Sequence, residues 1–152
     1  MLAKNIFDVK KVYFGAQIFK VVIYDQEGNP IDNNMKPSTI QQYVDKGGYP
    51  AVEILCVQGF MPTPSRDGLL LSGFLANTEG DQLPGKAPVE NVHVPIAQQS
   101  DNYKQNAWTT DYEIAVDLQK DLLVQFNAEL TRREESVRKY RELLDSILTA
   151  IE

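Results

Sequence analysis

All nine glycines and all eight prolines of this 152-residue chain lie at or before Pro95. The 57 residues from Ile96 to Glu152 contain neither. Glycine and proline interrupt regular elements and build turns, so their crowding predicts a turn-rich amino-terminal part. Their absence leaves the remainder free to form one long helix. The chain therefore divides into residues 1–95, a β-rich head; 96–109, a polar connector (Gln98, Gln99, Ser100, Asp101, Asn102); and 110–152, a long carboxy-terminal helix.

Within the head, short β-branched and aromatic runs read as five strands: Lys11–Phe14, Gln17–Tyr24, Ala51–Val57, Leu69–Leu75 and Val89–Val94. Asp25 to Pro30 reads as a turn. Ser38 to Lys46 reads as a short helix, with Ser38 and Gln41 spaced for a capping box and Gly47 at the left-handed stop. The fold class is α+β: a small, mainly β head, either a sandwich or a partly open barrel, followed by a coiled-coil-type helix. Thr110 and Glu113 are spaced for a second capping box at the start of that helix.

The helix carries the strongest pattern. With Val116 at heptad position a, the a positions are Val116, Leu123, Leu130, Val137, Leu144 and Ile151. The d positions are Gln119, Phe126, Arg133, Tyr140 and Ile147. A 3-4 spacing held this long favours supercoiling around a partner. A helix from Asp111 to Ile151 runs about 60 Å at 1.5 Å per residue, whereas a 95-residue head has a radius of gyration of only about 12 Å. The head cannot cover the whole seam, which makes a second copy of the chain the expected partner. Leu122, Leu143 and Leu148 widen the stripe and favour three helices over two, and Arg133 either snorkels or marks register. A hairpin broken at Thr131–Ser136, or pairing with another protein's helix, would also cover the seam.

Chemistry-bearing motifs are sparse. One cysteine, Cys56, excludes an internal disulfide, and one histidine, His93, removes most histidine-based zinc or triad chemistry. Cys56 lies in an apolar run, where a buried inert thiol is expected, and His93 alternates with Val92 and Val94 as a solvent-facing or hydrogen-bonded strand residue. No glycine-rich phosphate loop occurs, and Asp25, Glu27 and Asn29 fail as a calcium loop at Pro30 and Ile31. No cofactor or metal is therefore expected. The basic cluster Arg132, Arg133, Arg138, Lys139 and Arg141 is interleaved with Glu134, Glu135 and Glu142 at helix-pairing distances. With a net charge of −6, nucleic acid and anionic membranes are disfavoured partners. No apolar run reaches the roughly 20 residues that span a bilayer, and the amino terminus has no secretory signal, so a cytoplasmic or virion location is expected.

One loop, Gly59 to Pro64, places Phe60 and Met61 beside glycine and prolines. The pair either plugs one end of the head, the preferred reading, or forms a small contact patch for a protein partner. The sequence thus points to a non-enzymatic, homo-oligomeric assembly protein. Its stalk would set stoichiometry while its heads contact other proteins, as in viral or phage structural components. A single-stranded nucleic-acid-binding barrel with Tyr13, Phe14, Phe19 and Tyr24 as stacking platforms is the alternative, as is an intracellular adaptor.

Overall fold

The computed structural model describes residues 7–32, 38–63, 68–86, 89–95 and 103–151. Four antiparallel strands, β1 (Gln17–Tyr24), β2 (Tyr49–Pro62), β3 (Gly68–Ala76) and β4 (Val89–Pro95), follow one another across a single sheet in chain order. A short helix, α1 (Ile40–Asp45), connects β1 to β2, and a 40-residue helix, α2 (Tyr112–Ile151), follows the sheet. The sheet is curled into a half-barrel, and the architecture is α+β with a β head and a long carboxy-terminal helix.

Both faces of the sheet are covered, which explains why β1 and β2 are apolar almost without alternation. Phe19, Val21, Ile23, Ile54, Cys56 and Ala76 point to one side. There they meet Tyr43 of α1 and Ile114, Ala115, Leu118, Leu122 and Phe126 of α2. Ile18, Leu55, Val57, Leu69, Leu71 and Val94 point to the other side, where Phe7, Val12 and Trp108 close the second core.

Two kinks produce the curl. The β2–β3 register slips between Val57 and Gly59, and the β3–β4 register slips between Leu71 and Gly73. Each slip adds a residue to one strand, bending it and raising the local twist. The first also reverses the side-chain phase of β2: Cys56 pairs with Phe74 before the bulge, whereas Phe60 pairs with Leu71 after it. Phe60 is thereby carried to the face opposite that of Cys56.

The expected strand Lys11–Phe14 is not a strand. Asp8 accepts a hydrogen bond from the backbone N–H of Lys10 at 3.0 Å and opens a 3-10 turn at Val9–Lys11. The chain then swings through Gly15 (φ +90°), whose N–H reaches the Val57 carbonyl at 2.7 Å. The short helix forms as expected, with its cap one residue later. Thr39 and Gln42 make the reciprocal box, while Ser38 binds Asp32 instead. At the other end, Gly47 (φ +67°) and Gly48 donate to the carbonyls of Val44 and Tyr43, the double bond of a Schellman stop.

The residues before α2 do more than connect. Thr109 exchanges both backbone hydrogen bonds with Phe19, and the Asn106 N–H reaches the Val21 carbonyl at 2.8 Å. This strip covers the free edge of β1, and Tyr103, Trp108 and Thr109 are buried with it. Residues 96–102, the first half of the expected connector, lie outside the described residues. At the helix start, Asp111 replaces Thr110 as the cap: its carboxylate accepts from the Glu113 N–H at 3.0 Å. Thr110 instead accepts from the N–H of Asp8, tying the amino-terminal segment to the helix base.

Candidate functional site

α2 runs parallel to β1 across one face of the sheet. Its first turn sits over the start of β1, where the rings of Tyr112 and Phe19 lie 5.2 Å apart. Gln119 donates to the Pro50 carbonyl at 3.1 Å, and Phe126 packs on Tyr43 of α1 with ring centroids 5.8 Å apart. Among the described residues Arg133 makes the last contact, to Asp45 at 2.8 Å and to the Gln41 carbonyl at 3.1 Å. The helix is unbroken through Thr131–Ser136, so the hairpin alternative is overturned. Residues 134–151, about 27 Å of helix, extend past the head with every side chain exposed.

The face that α2 turns to its head does not end where the head ends. Ala115, Leu118, Leu122, Phe126, Glu129 and Arg133 lie on the head side. Val137, Tyr140, Leu144, Ile147 and Ile151 continue the same steps of three and four. At 100° per residue, all eleven fall within one stripe about 100° wide. The first part is covered and the second is bare: Tyr140 is 62% exposed and Ile151 77%.

This geometry divides the expected seam. Phe126, 5% exposed, is consumed by its own head. Arg133 neither snorkels nor enters a helix seam, because it reaches sideways onto Asp45 and Glu129. Val116 is half-buried, while Leu123 and Leu130 are exposed on the flank of the covered stripe. Val137, Tyr140, Leu144, Ile147 and Ile151 remain available together. Leu118, Leu122 and Glu129 were not assigned to the seam, because a strict 3.5-residue repeat drifts off a straight helix. The 3-4-4 spacing beginning at Ala115 was the signal that would have found them.

Glu129 and its two arginines form a knot at the head's rim. Arg132 forks onto both carboxylate oxygens at 2.6 and 3.0 Å, and Arg133 donates its Nε at 3.0 Å. These hydrogen bonds, from Arg132 first and then Arg133, hold the Glu129 carboxyl down at about 2, against an ordinary value of 4.5. The carboxylate is covered chiefly by its own arginines. Nearby, Tyr43 donates to Asp32 and accepts from Gln105 at 3.1 Å. Burial, then the bond to Asp32, pushes its phenol up to about 12, fixing it as a donor.

A second apolar surface stands at the other end. Phe60 and Met61 belong to the last residues of β2, not to a loop, and are 49% and 58% exposed. Their exposure is at odds with the preferred reading as a plug, and as neighbours in the β2–β3 ladder, opposite Leu71 and Leu70, they point to opposite faces of it. The Gly15–Val57 hydrogen bond brings Tyr13 and Phe14, both exposed, to the base of that part of the ladder. Because β2 is antiparallel to β1 and α2 is parallel to it, this patch and the helix tip point away from each other.

The remaining candidates hold less. Phe19 is buried beneath Tyr112 and Tyr24 leans on Tyr49 at 6.1 Å, so the four aromatics do not form one open stacking platform. Cys56 is buried. His93 is half-buried opposite Leu70, in space left by the missing side chain of Gly68, and its Nε2 has no hydrogen-bond partner among the described residues. A half-open cavity of about 300 Å³ beside Tyr24, Tyr49 and Leu83 includes Glu53 and Lys86 in its lining, and Glu53 pairs with Lys20 at 3.7 Å. Among the described residues no group of three histidine, cysteine or acidic side chains is placed to hold a metal, and no helix is long and apolar enough to cross a membrane. Comparison with known protein families, curated proteins and solved structures finds no match.

Proposed function

We propose that this chain is a non-enzymatic assembly protein that associates with copies of itself through the bare length of α2 and presents its β heads for contacts with other proteins. One observation carries the reading: the head-binding stripe of α2 continues, uncovered and apolar, for residues 137–151 beyond the last head contact. Fully burying one Leu, Ile or Val side chain contributes about 1.5–3 kcal/mol relative to leaving it wet. The exposed stripe is therefore a strong drive for association. The knot at Glu129 and Arg133 fixes where the head stops and the interface begins. Phe60 and Met61, at the far end, are the surface offered to a second protein. A virus or phage particle is the setting that this head-and-stalk form suits, on architecture alone.

Light scattering of the full chain across a dilution series tests the reading. A mass above one chain that falls to one in Tyr140→Glu or Leu144→Glu is the expected outcome. Both positions are exposed, so the head stays folded in these variants. A wild-type chain that is monomeric at every concentration overturns self-association and leaves a helix of another protein as the partner.

A further inference from the structure

The stripe of α2 that needs a partner is the same stripe that holds the head, and this constrains how two copies can meet. In a parallel pair, each helix would lie against the other's bare stripe. Continued downward past residue 133, it would then enter the space filled by α1 and the sheet. In an antiparallel pair that collision disappears. Each overhang lies against the other, each tip stops at the partner's α1, and the heads stand at opposite ends. The overlap is limited to residues 134–151, and the bare segment of one copy is matched in length by that of the other.

Building on the proposed self-association, we propose that its form is an antiparallel two-fold dimer centred near residue 142, with both heads outermost. The a and d positions fit that centre without adjustment. Val137 falls level with the second copy's Ile147 and Tyr140 with its Leu144, and each Ile151 ends at the rim of the other copy's head. On one flank the two Leu143 side chains meet near the axis. On the other flank the two Arg141 side chains approach as like charges, and Asp145 of each copy, one turn along and further from the seam, offsets them. Among the described residues neither Arg141 nor Asp145 has an ion pair within its own chain. The parallel alternative sets Ser136 against Arg141 and places no opposite charges across the seam.

Single cysteines placed on the overhang, treated with a short bifunctional thiol reagent, distinguish the arrangements. Native Cys56 is buried, and the wild-type chain serves as the control. Leu143→Cys links to itself. Val137→Cys and Ile151→Cys do not, since their copies stand about 15 and 27 Å apart along the axis. Val137→Cys mixed with Ile147→Cys yields a linked dimer. Light scattering of the wild-type chain gives two chains. Self-linkage of Val137→Cys or Ile151→Cys, or a mass of three chains, overturns the antiparallel dimer while leaving self-association standing. A monomer at every concentration overturns both.

Discussion

At the scale of single residues, the rim of the head depends on one carboxylate. Glu129 is held ionised by Arg132 and Arg133, and its folded-state value of about 2 lies below the ordinary 4.5. A depressed carboxylate contributes stability that is fully present above the unfolded value and is lost as pH falls through the folded one. The wild-type chain should therefore exceed Glu129→Gln in thermal stability at neutral pH. That difference should shrink between about pH 4.5 and pH 2, as read by melting temperatures across the range. A gap that stays constant down to pH 2 would mean that the charge is immaterial. Gly73 is constrained in another way. A Cβ there would stand 1.9 Å from the Cys56 carbonyl oxygen, and backbone cannot yield cheaply. Gly73→Ala should cost at least about 2 kcal/mol in denaturant unfolding. Gly85→Ala meets nothing within 4 Å and is opposed only by its left-handed backbone (φ +72°), so it should cost less, about 1 kcal/mol.

At the scale of elements, α2 is two helices in one covalent run. The covered part belongs to the head's core, as Ala115, Leu118, Leu122 and Phe126 show, and the overhang is exposed. Phe126→Ala should therefore lower head stability by about 3–5 kcal/mol, the range for truncating a buried aromatic, without directly removing the bare stripe. Urea unfolding measures it, and a loss below about 1 kcal/mol would contradict the packing on Tyr43. Removing the whole helix would strip one face of the sheet, so the head is not an independent unit lacking α2. The cap at Asp111 is a local contribution of the ordinary size. Asp111→Ala should cost about 1 kcal/mol in the same assay.

For the whole molecule, the exposed stripe of α2 and the exposed pair Phe60 and Met61 lie at opposite ends. Changing the patch at Phe60 and Met61 leaves the helix overhang untouched, and changing the overhang leaves the patch untouched. Phe60→Asp should therefore preserve the mass of the assembled protein in light scattering, whereas Tyr140→Glu should reduce it. A reduced mass in both would place the two surfaces in one interface. In the antiparallel arrangement the heads stand outermost with their patches facing outward, so one dimer would offer two well-separated contacts and gain avidity only against a partner with matching spacing.

The division of the chain was readable from residues alone, because glycine and proline act locally: nothing distant is needed to forbid a long helix before Pro95 or to permit one after it. Strand β1 was also legible end to end, since six of its eight residues are β-branched or aromatic and turn signals follow it. The stop at Gly47 was legible for the same local reason. What was not legible depended on partners distant in sequence. Lys11–Phe14 has strand composition, yet Asp8 and Gly15 turn it, and Phe60 looked like a plug until the bulge beyond Val57 reversed its side. The apolar spacing along the helix was legible, but the sheet decided which part of it the chain buries against itself. A repeat records only which residues are apolar on one face, whereas tertiary contacts decide which length of that face the chain covers itself and which length it leaves exposed.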